Sequence, residues 1–299
     1  MKKIVVTGAT SSIGIALIEE CIKNNIEVLV LARKESNRLE HIPKSNLVKI
    51  ENCDLSSLKE FNYDETNYDV FYHLGWAYTS KEERKNEELQ EENIKYSLDA
   101  INLAKKLGVK KFIGAGSQAE YGNHTEDKVI NPIEPYGICK YASGKLLATK
   151  AIKFNMDFAW VRIFSVYGKY DTNNTMISTA ISKMKTLGYC SFSPAEHIWD
   201  YLYSEDAGRA LYLLGEKLVG NKVYCLGSGQ GKPLKEYIQI IRDLVNKEAI
   251  IGIGDIPYEN GIPNPMVADI SDLTRDTGFV PKIDFIEGIR KILDYKIIR

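Results

Sequence analysis

Cysteine pairs, an excess of charge of either sign and long apolar runs are all missing from this 299-residue chain, and each absence removes a class of protein. The five cysteines, Cys21, Cys53, Cys139, Cys190 and Cys225, contain no C-x-x-C pair. That pattern offers no zinc site or disulfide framework and fits reduced thiols in a cytoplasm. Lys and Arg number 39 against 40 Asp and Glu, so the broad basic surface that grips a phosphate backbone is lacking and nucleic acid is not an expected partner. No run of about eighteen apolar residues is available to span a membrane. Between Lys2-Lys3 and Thr7-Gly8 stand only Ile4, Val5 and Val6, too few for the core of a secretion signal. The expectation is a cytoplasmic protein without a membrane partner. With 44% hydrophobic residues the chain can bury the core of one large domain or of two unequal lobes.

Short apolar runs at 4–6, 28–31, 48–50, 70–74, 112–115 and 158–163 alternate with helical patterns. In 13–24 the stripe is Ile13, Leu17 and Cys21; in 91–107 it is Ile94, Leu98 and Ile101. Apolar strands alternating with helices predict an α/β fold, a doubly wound parallel sheet covered on both faces. Past Val166 the rhythm loosens, with turn signals at Gly188, Pro194, Gly227-Ser228-Gly229 and across 257–265. We expect a sheet domain over 1–166 and a smaller α/β lobe over 167–299, some of whose segments return to the sheet. The charged stretch 81–92 reads as a solvated loop and helix face.

A glycine-rich turn is informative between a strand and a helix, because a pyrophosphate can approach the backbone at a helix N-terminus. Thr7-Gly8-Ala9-Thr10-Ser11-Ser12-Ile13-Gly14 stands in that context. Gly8 makes the turn and Gly14 lets helix and strand pack closely. Ser11 replaces the usual middle glycine, and either supplies a phosphate hydrogen bond or weakens binding. The second apolar run ends in Ala32-Arg33-Lys34. An acidic residue there would bond a ribose 2′-hydroxyl and repel a 2′-phosphate, whereas Arg33 can pair with that phosphate, so NADP(H) is favoured over NAD.

Tyr136 and Lys140 stand four apart on one face of a predicted helix, where an ammonium would stabilise a tyrosinate and draw the phenol pKa down from about 10. The spacing alone is weak evidence, since 18 Tyr and 30 Lys in 299 residues supply roughly two such pairs by chance. The second pair is Tyr141 with Lys145. Five residues turn a helix by about 140°, so the two pairs cannot face one site. Pro135 suits a first helical turn and puts Tyr136 at the helix start, which selects Tyr136 as the proton donor. Ser117, beyond the run that begins at Phe112, lies at a carboxyl-terminal strand end, where open parallel sheets bind ligands.

In order and spacing these elements resemble the extended short-chain dehydrogenase/reductase family, which includes nucleotide-sugar epimerases, dehydratases and reductases, over nearly the whole chain. The cofactor loop is similar to Thr7 through Gly14 and the adenine-contacting segment to Cys53-Asp54-Leu55. The fourth-strand motif is similar to His73-Leu74-Gly75-Trp76, and the serine motif to Gly116-Ser117-Gln118-Ala119-Glu120-Tyr121-Gly122. Pro135-Tyr136-Gly137-Ile138-Cys139-Lys140 resembles the catalytic helix, and Arg162-Ile163-Phe164-Ser165-Val166-Tyr167-Gly168 the crossover into the substrate lobe.

The resemblance implies a Rossmann domain holding NADP(H) over 1–166 and a substrate lobe over most of 167–299. It implies that Tyr136 exchanges a proton with a sugar oxygen, that Ser117 orients that oxygen and that Lys140 also binds the nicotinamide ribose. Gly8, Thr10, Ser11, Ser12, Ile13, Gly14, Arg33, Lys34, Asp54, Leu55, Leu74, Gly75, Trp76 and Phe164 would hold the cofactor, and Asn93 would support the proton relay. Thr79, Gln118, Ser165, Trp199 and Arg275 are implied contacts of a nucleotide-diphosphate sugar, with Arg209 a further candidate for the diphosphate. The helices at 91–107 and 136–154 resemble a four-helix dimer interface and imply a homodimer.

Departures from the family pattern narrow the reaction. Gln118 and Ala119 stand where 4,6-dehydratases carry an Asp-Glu pair, which disfavours elimination of water. Ser165 replaces a common sugar-contacting Asn, and Trp199 a diphosphate-binding Arg. With Arg33 favouring a consumed NADPH, the expectation is a reductase similar to bacterial 4-keto-6-deoxyhexose reductases of the CDP-abequose synthase and dTDP-fucose synthase kind. Its rivals are a C4 epimerase that retains NAD and a non-catalytic NADP-binding regulator.

Overall fold

The computed structural model describes residues 1–122, 129–172, 174–258 and 264–298. Of the expected turn region 257–265, residues 259–263 lie outside the described residues. In chain order the first half contains β1 (Lys3–Thr7), α1 (Ser12–Lys23), β2 (Glu27–Ala32), β3 (Val48–Asn52), β4 (Val70–His73), α2 (Glu87–Lys106), β5 (Lys111–Ser117), α3 (Pro135–Phe154) and β6 (Asp157–Ile163). The second half adds β7 (Ser165–Tyr167), α4 (Met176–Thr186), β8 (Tyr189–Phe192), β9 (Ile198–Tyr203), α5 (Ser204–Lys217), β10 (Asn221–Leu226), β11 (Gly231–Pro233), α6 (Leu234–Val245), β12 (Ile250–Ile253), α7 (Ser271–Thr277) and α8 (Phe285–Ile298).

Seven strands form one sheet in the order β10-β6-β5-β4-β1-β2-β3, every pair parallel. Successive side chains on a strand point to opposite faces, so each apolar run feeds two cores. Ile4, Val6, Val28, Val30 and Tyr72 share one core with Leu17 and Ile18 of α1 and Leu211 and Leu214 of α5. Val5, Leu29, Phe71, Phe112 and Trp160 share the other with Ile101 and Leu103 of α2 and Leu147 of α3. Each such side chain contributes about 1.5–3 kcal/mol by leaving water, which is why these runs tolerate almost no polar residue. The doubly wound α/β fold expected from the alternation is the fold observed.

One element differs from the pattern reading. Helix α2 begins four residues before position 91, because Asn86 caps it by accepting from the Leu89 amide at 2.9 Å; the turn so capped is too polar to show an apolar stripe. After β6 the chain leaves the sheet and then returns to it: α5 packs on α1, and β10 joins the edge beside β6. The two small sheets, β11-β9-β7 and β12-β8, accompany a separate cluster of Tyr167, Ile181, Met184, Tyr203, Ile238 and Ile289. Among the described residues no helix is long and apolar enough to cross a membrane, and no group of three or more His, Cys, Asp or Glu is placed to hold a metal.

Candidate active site

The sheet order reverses between β1 and β4, so the loops leaving their carboxyl ends diverge and open a crevice. A cleft of about 990 Å³ lies there. Gly8, Thr10, Ser11, Ser12 and Ile13 line it from the first loop, Arg33 from the end of β2, and Asp54 and Leu55 from the turn after β3. Leu74, Gly75, Trp76 and Thr79 follow β4; Ser117 and Gln118 follow β5; Tyr136, Lys140 and Phe164 complete the wall. Gly8 has φ +70°, and a Cβ on it would come within 2.5 Å of the Gly75 nitrogen. Only glycine lets these two backbones meet under a ligand. A Cβ at Gly14 would stand 2.6 Å from the Gly8 carbonyl, so Gly14 packs beneath the loop. The first turn of α1 leaves amides without partners inside the helix, aimed at the cleft. A close-approach cradle at a helix N-terminus fits the pyrophosphate of a dinucleotide.

The Ser11 hydroxyl is engaged within its own loop. It caps α1, accepting from the Gly14 amide at 3.0 Å, and gives its hydrogen to the Gly8 carbonyl at 2.8 Å. Six expected contacts are not brought to the cleft. Lys34 projects into solvent while its backbone amide bonds Asn52 at 2.9 Å. The buried Asn93 amide is committed to the Ala77 backbone, accepting at 2.7 Å and donating at 3.2 Å, and to the Leu89 carbonyl. Ser165 pairs in register with Tyr201, and Trp199 packs edge-on against His197. Arg275 lies on exposed α7, paired with Asp272 and Asp276. Arg209 likewise bonds Asp206 and the Val280 carbonyl.

At the catalytic end, Ser117 accepts from the Ala119 amide at 3.2 Å, and its hydroxyl hydrogen-bonds the Tyr136 phenol. Lys140 is buried, donates to the Ala115 carbonyl at 2.6 Å and stands 3.8 Å from the Trp76 ring centroid. Burial pushes its pKa down to about 7, with the Glu120 carboxylate opposing and the Arg84 charge adding to the effect. The sequence pattern expects Lys140 to draw the Tyr136 phenol below its ordinary value. Burial holds that phenol above 10, and the groups that oppose the rise are Arg84 and then the Ser117 hydroxyl. The ammonium points at a carbonyl instead, 5.9 Å from the phenol ring centroid. The competing pair, Tyr141 with Lys145, makes its own contact on another face of α3, outside the cleft.

The sequence model of the NAD dependent epimerase/dehydratase family matches residues 4–227, from β1 to just beyond β10. The chain belongs to that family. Its members are nicotinamide-dinucleotide dependent and act on nucleotide sugars. A dTDP-4-dehydro-6-deoxyglucose reductase of Escherichia coli is 25% identical over 305 residues, 97% of this chain and 96% of the relative. A UDP-glucose 4-epimerase of Lactobacillus helveticus is 24% identical, covering 96% of this chain and 94% of its own length. The UDP-N-acetylglucosamine 4-epimerase of Methanobrevibacter ruminantium, solved with UDP-N-acetylmuramic acid, superposes with a TM-score of 0.88 at 23% identity, covering 99% and 98% of the two chains.

Against the epimerase/dehydratase pattern, several residues of this site escaped the motif reading. Arg38 donates to the Thr10 carbonyl at 2.9 Å and the Tyr170 carbonyl at 2.5 Å, tying the cofactor loop to the segment after β7. Gln90 accepts from the Trp76 indole at 2.9 Å and donates to the carbonyls of Tyr78 and Glu83. Glu120, with no exposed surface, accepts from the Ser117 amide, the Trp160 indole and Arg162. Arg84, within the stretch read as solvated, lies over the Tyr136 ring with its guanidinium carbon 4.6 Å from the centroid. Its position in a charge-rich loop carried no signal of that contact.

Proposed function

We propose that this protein reduces the C4 keto group of a nucleotide-diphospho-4-keto-6-deoxyhexose with NADPH, in the biosynthesis of bacterial surface-polysaccharide sugars. The observation that carries the reading is the end of β2, where Arg33, 3.7 Å from the Asp54 carboxylate, lines the cofactor cleft together with Ser36 and Arg38, in place of the acidic strand end that would bond a ribose 2′-hydroxyl and repel a 2′-phosphate. The likeness to the Escherichia coli reductase supports it. Gln118, not an acid, borders the cleft next to Ser117, which leaves dehydration without its acid pair.

The cofactor, when bound, supplies the hydride to the C4 carbon. As the carbonyl π bond breaks, the Tyr136 hydroxyl passes its proton to the sugar oxygen, and the Ser117 hydroxyl, beside the phenol, bonds that oxygen while negative charge develops on it. Lys140 would hold the nicotinamide ribose. Trp76 and Phe164 line the cleft with apolar surface and limit water at the reacting carbon. A second reading, a C4 epimerase that retains NAD, is favoured by the likeness to 4-epimerases. The test is NADPH oxidation on a panel of CDP-, dTDP-, GDP- and UDP-linked 4-keto sugars, with Tyr136→Phe as control. Turnover on at least one of them, reduced at least 100-fold in the variant, is expected. An absence of turnover on every member, or full activity in the Phe variant, would overturn the mechanism.

A further inference from the structure

Proton transfer from Tyr136 needs Ser117 to keep one place beside it, yet Ser117 is the last residue of β5, where the chain leaves the sheet. The group that fixes it follows three residues later. The 3-10 turn Gln118–Tyr121 brings Glu120 back to the strand end, where its Oε1 accepts from the Ser117 amide at 3.0 Å. The same oxygen accepts from the Trp160 indole at 2.8 Å, and Oε2 accepts from the Arg162 Nε at 2.8 Å. Glu120 has no exposed surface, so these bonds are shielded from bulk water. Space is cleared for the arrangement on both sides. A Cβ on Gly116 would stand 2.6 Å from the Glu120 Oε1 and 2.5 Å from the Trp160 Nε1, and one on Gly144 would stand 2.8 Å from the indole. Gly144 lies about one turn beyond Lys140 on α3, the helix that carries Tyr136. The indole held by Glu120 is therefore packed against both the strand of Ser117 and the helix of Tyr136.

We propose that Glu120 is a positioning residue of the reaction: one buried carboxylate, balanced by Arg162, fixes Ser117 and the catalytic helix relative to each other. The inference rests on the reading of Ser117 and Tyr136 as the reacting pair. An apolar pair of similar volume in place of Glu120 and Arg162 would hold the same space without loss of stability. What the carboxylate adds is direction. A charge-assisted bond to a backbone amide restricts where that amide, and with it the Ser117 side chain, can stand. The Ser117 hydroxyl bonds the Tyr136 phenol, and both must meet one sugar oxygen. A displacement of about 1 Å between groups that act together costs on the order of a hundredfold in rate. Trp160 carries the same restraint to α3. Glu120 is not among the residues that line the cleft, so it acts through Ser117 and not on the substrate.

The experiment compares the full chain with the paired substitution Glu120→Met and Arg162→Met, with Glu120→Asp, and with each of these added to Ser117→Ala. Removing both charges together strands neither, so the Met pair should unfold near the urea midpoint of the parent. Glu120→Asp keeps the charge but falls one methylene short of the Ser117 amide, and it serves if the Met pair does not fold. Two quantities are read: hydrogen exchange at the Ser117 amide, which needs no substrate, and turnover of whichever nucleotide sugar the parent converts. Exchange should quicken about tenfold, and kcat should fall about tenfold with KM nearly unchanged. On the Ser117→Ala background neither substitution should lower kcat further. Parent-like exchange at Ser117 overturns the inference whatever the reaction. A parent-like kcat in a folded variant does so too, as does a full additional loss on Ser117→Ala, which would make the carboxylate a general support of the fold. Full activity in Ser117→Ala alone overturns instead the reading of Ser117 on which the inference rests.

Discussion

Burial holds Lys140 near pH 7 in the folded chain, whereas in an unfolded chain it would keep its proton up to about 10.5. Between those values the unfolded state binds the extra proton, so stability rises with pH. The slope approaches roughly 1.4 kcal/mol per pH unit for one such group. Thermal unfolding from pH 7 to 9 should therefore show a rising Tm that flattens in Lys140→Met, and parallel curves for the two proteins would refute the assignment. Glu120 presents the opposite case, a buried carboxylate that accepts from Arg162 at 2.8 Å and the Trp160 indole at 2.8 Å. Glu120→Ala leaves that guanidinium and indole without their acceptor, and urea unfolding should report a loss of about 3–5 kcal/mol. A loss below about 1 kcal/mol would mean that water replaces the carboxylate. Tyr136 was legible as a residue because Pro135 marks its helix start. Arg84 and Glu120 were not, because what each touches is set by elements distant in sequence.

Among the elements, the loop after β1 carries the strictest demand. Gly8→Ala puts a side chain at φ +70° and against the Gly75 and Leu74 backbone, adding about 1–3 kcal/mol of strain. Calorimetric titration should show at least about tenfold weaker dinucleotide binding, and unchanged affinity would remove the loop from the cofactor site. This loop could be read in advance because strand, glycine turn and helix are consecutive. The segment after β4 could not. Its shape depends on Gln90 and Asn93, buried polar residues of α2 whose amides bond the carbonyls of Tyr78, Glu83 and Ala77. Sequence pattern shows that such residues sit on a helix and says nothing of which backbone groups they take. Asn93, expected to support the proton relay, clamps the loop that carries Trp76.

At the scale of the molecule, the alternation of apolar runs predicted the sheet, and β10 escaped it for a physical reason. On the sheet edge only Tyr224 and Leu226 of that strand are buried, and its short apolar stretch 223–226 stands apart from the regular alternation that ends at 163. The expected homodimer rests on α2 and α3, which pack side by side. Helix α3 exposes Ile138, Leu146 and Ile152, apolar surface suited to a second copy. Sedimentation at micromolar concentration should give a dimer that Leu146→Glu dissociates, and a monomeric parent protein would contradict this. The proposed reaction itself turns on whether reducing equivalents leave the cofactor for good. The most direct test is the ratio of NADPH oxidised to 4-keto sugar consumed, measured on the purified protein with the best substrate of the panel. One NADPH per sugar, with NADH far less effective, is the predicted result; conversion of the sugar with no net NADPH loss and with NAD co-purifying would contradict it.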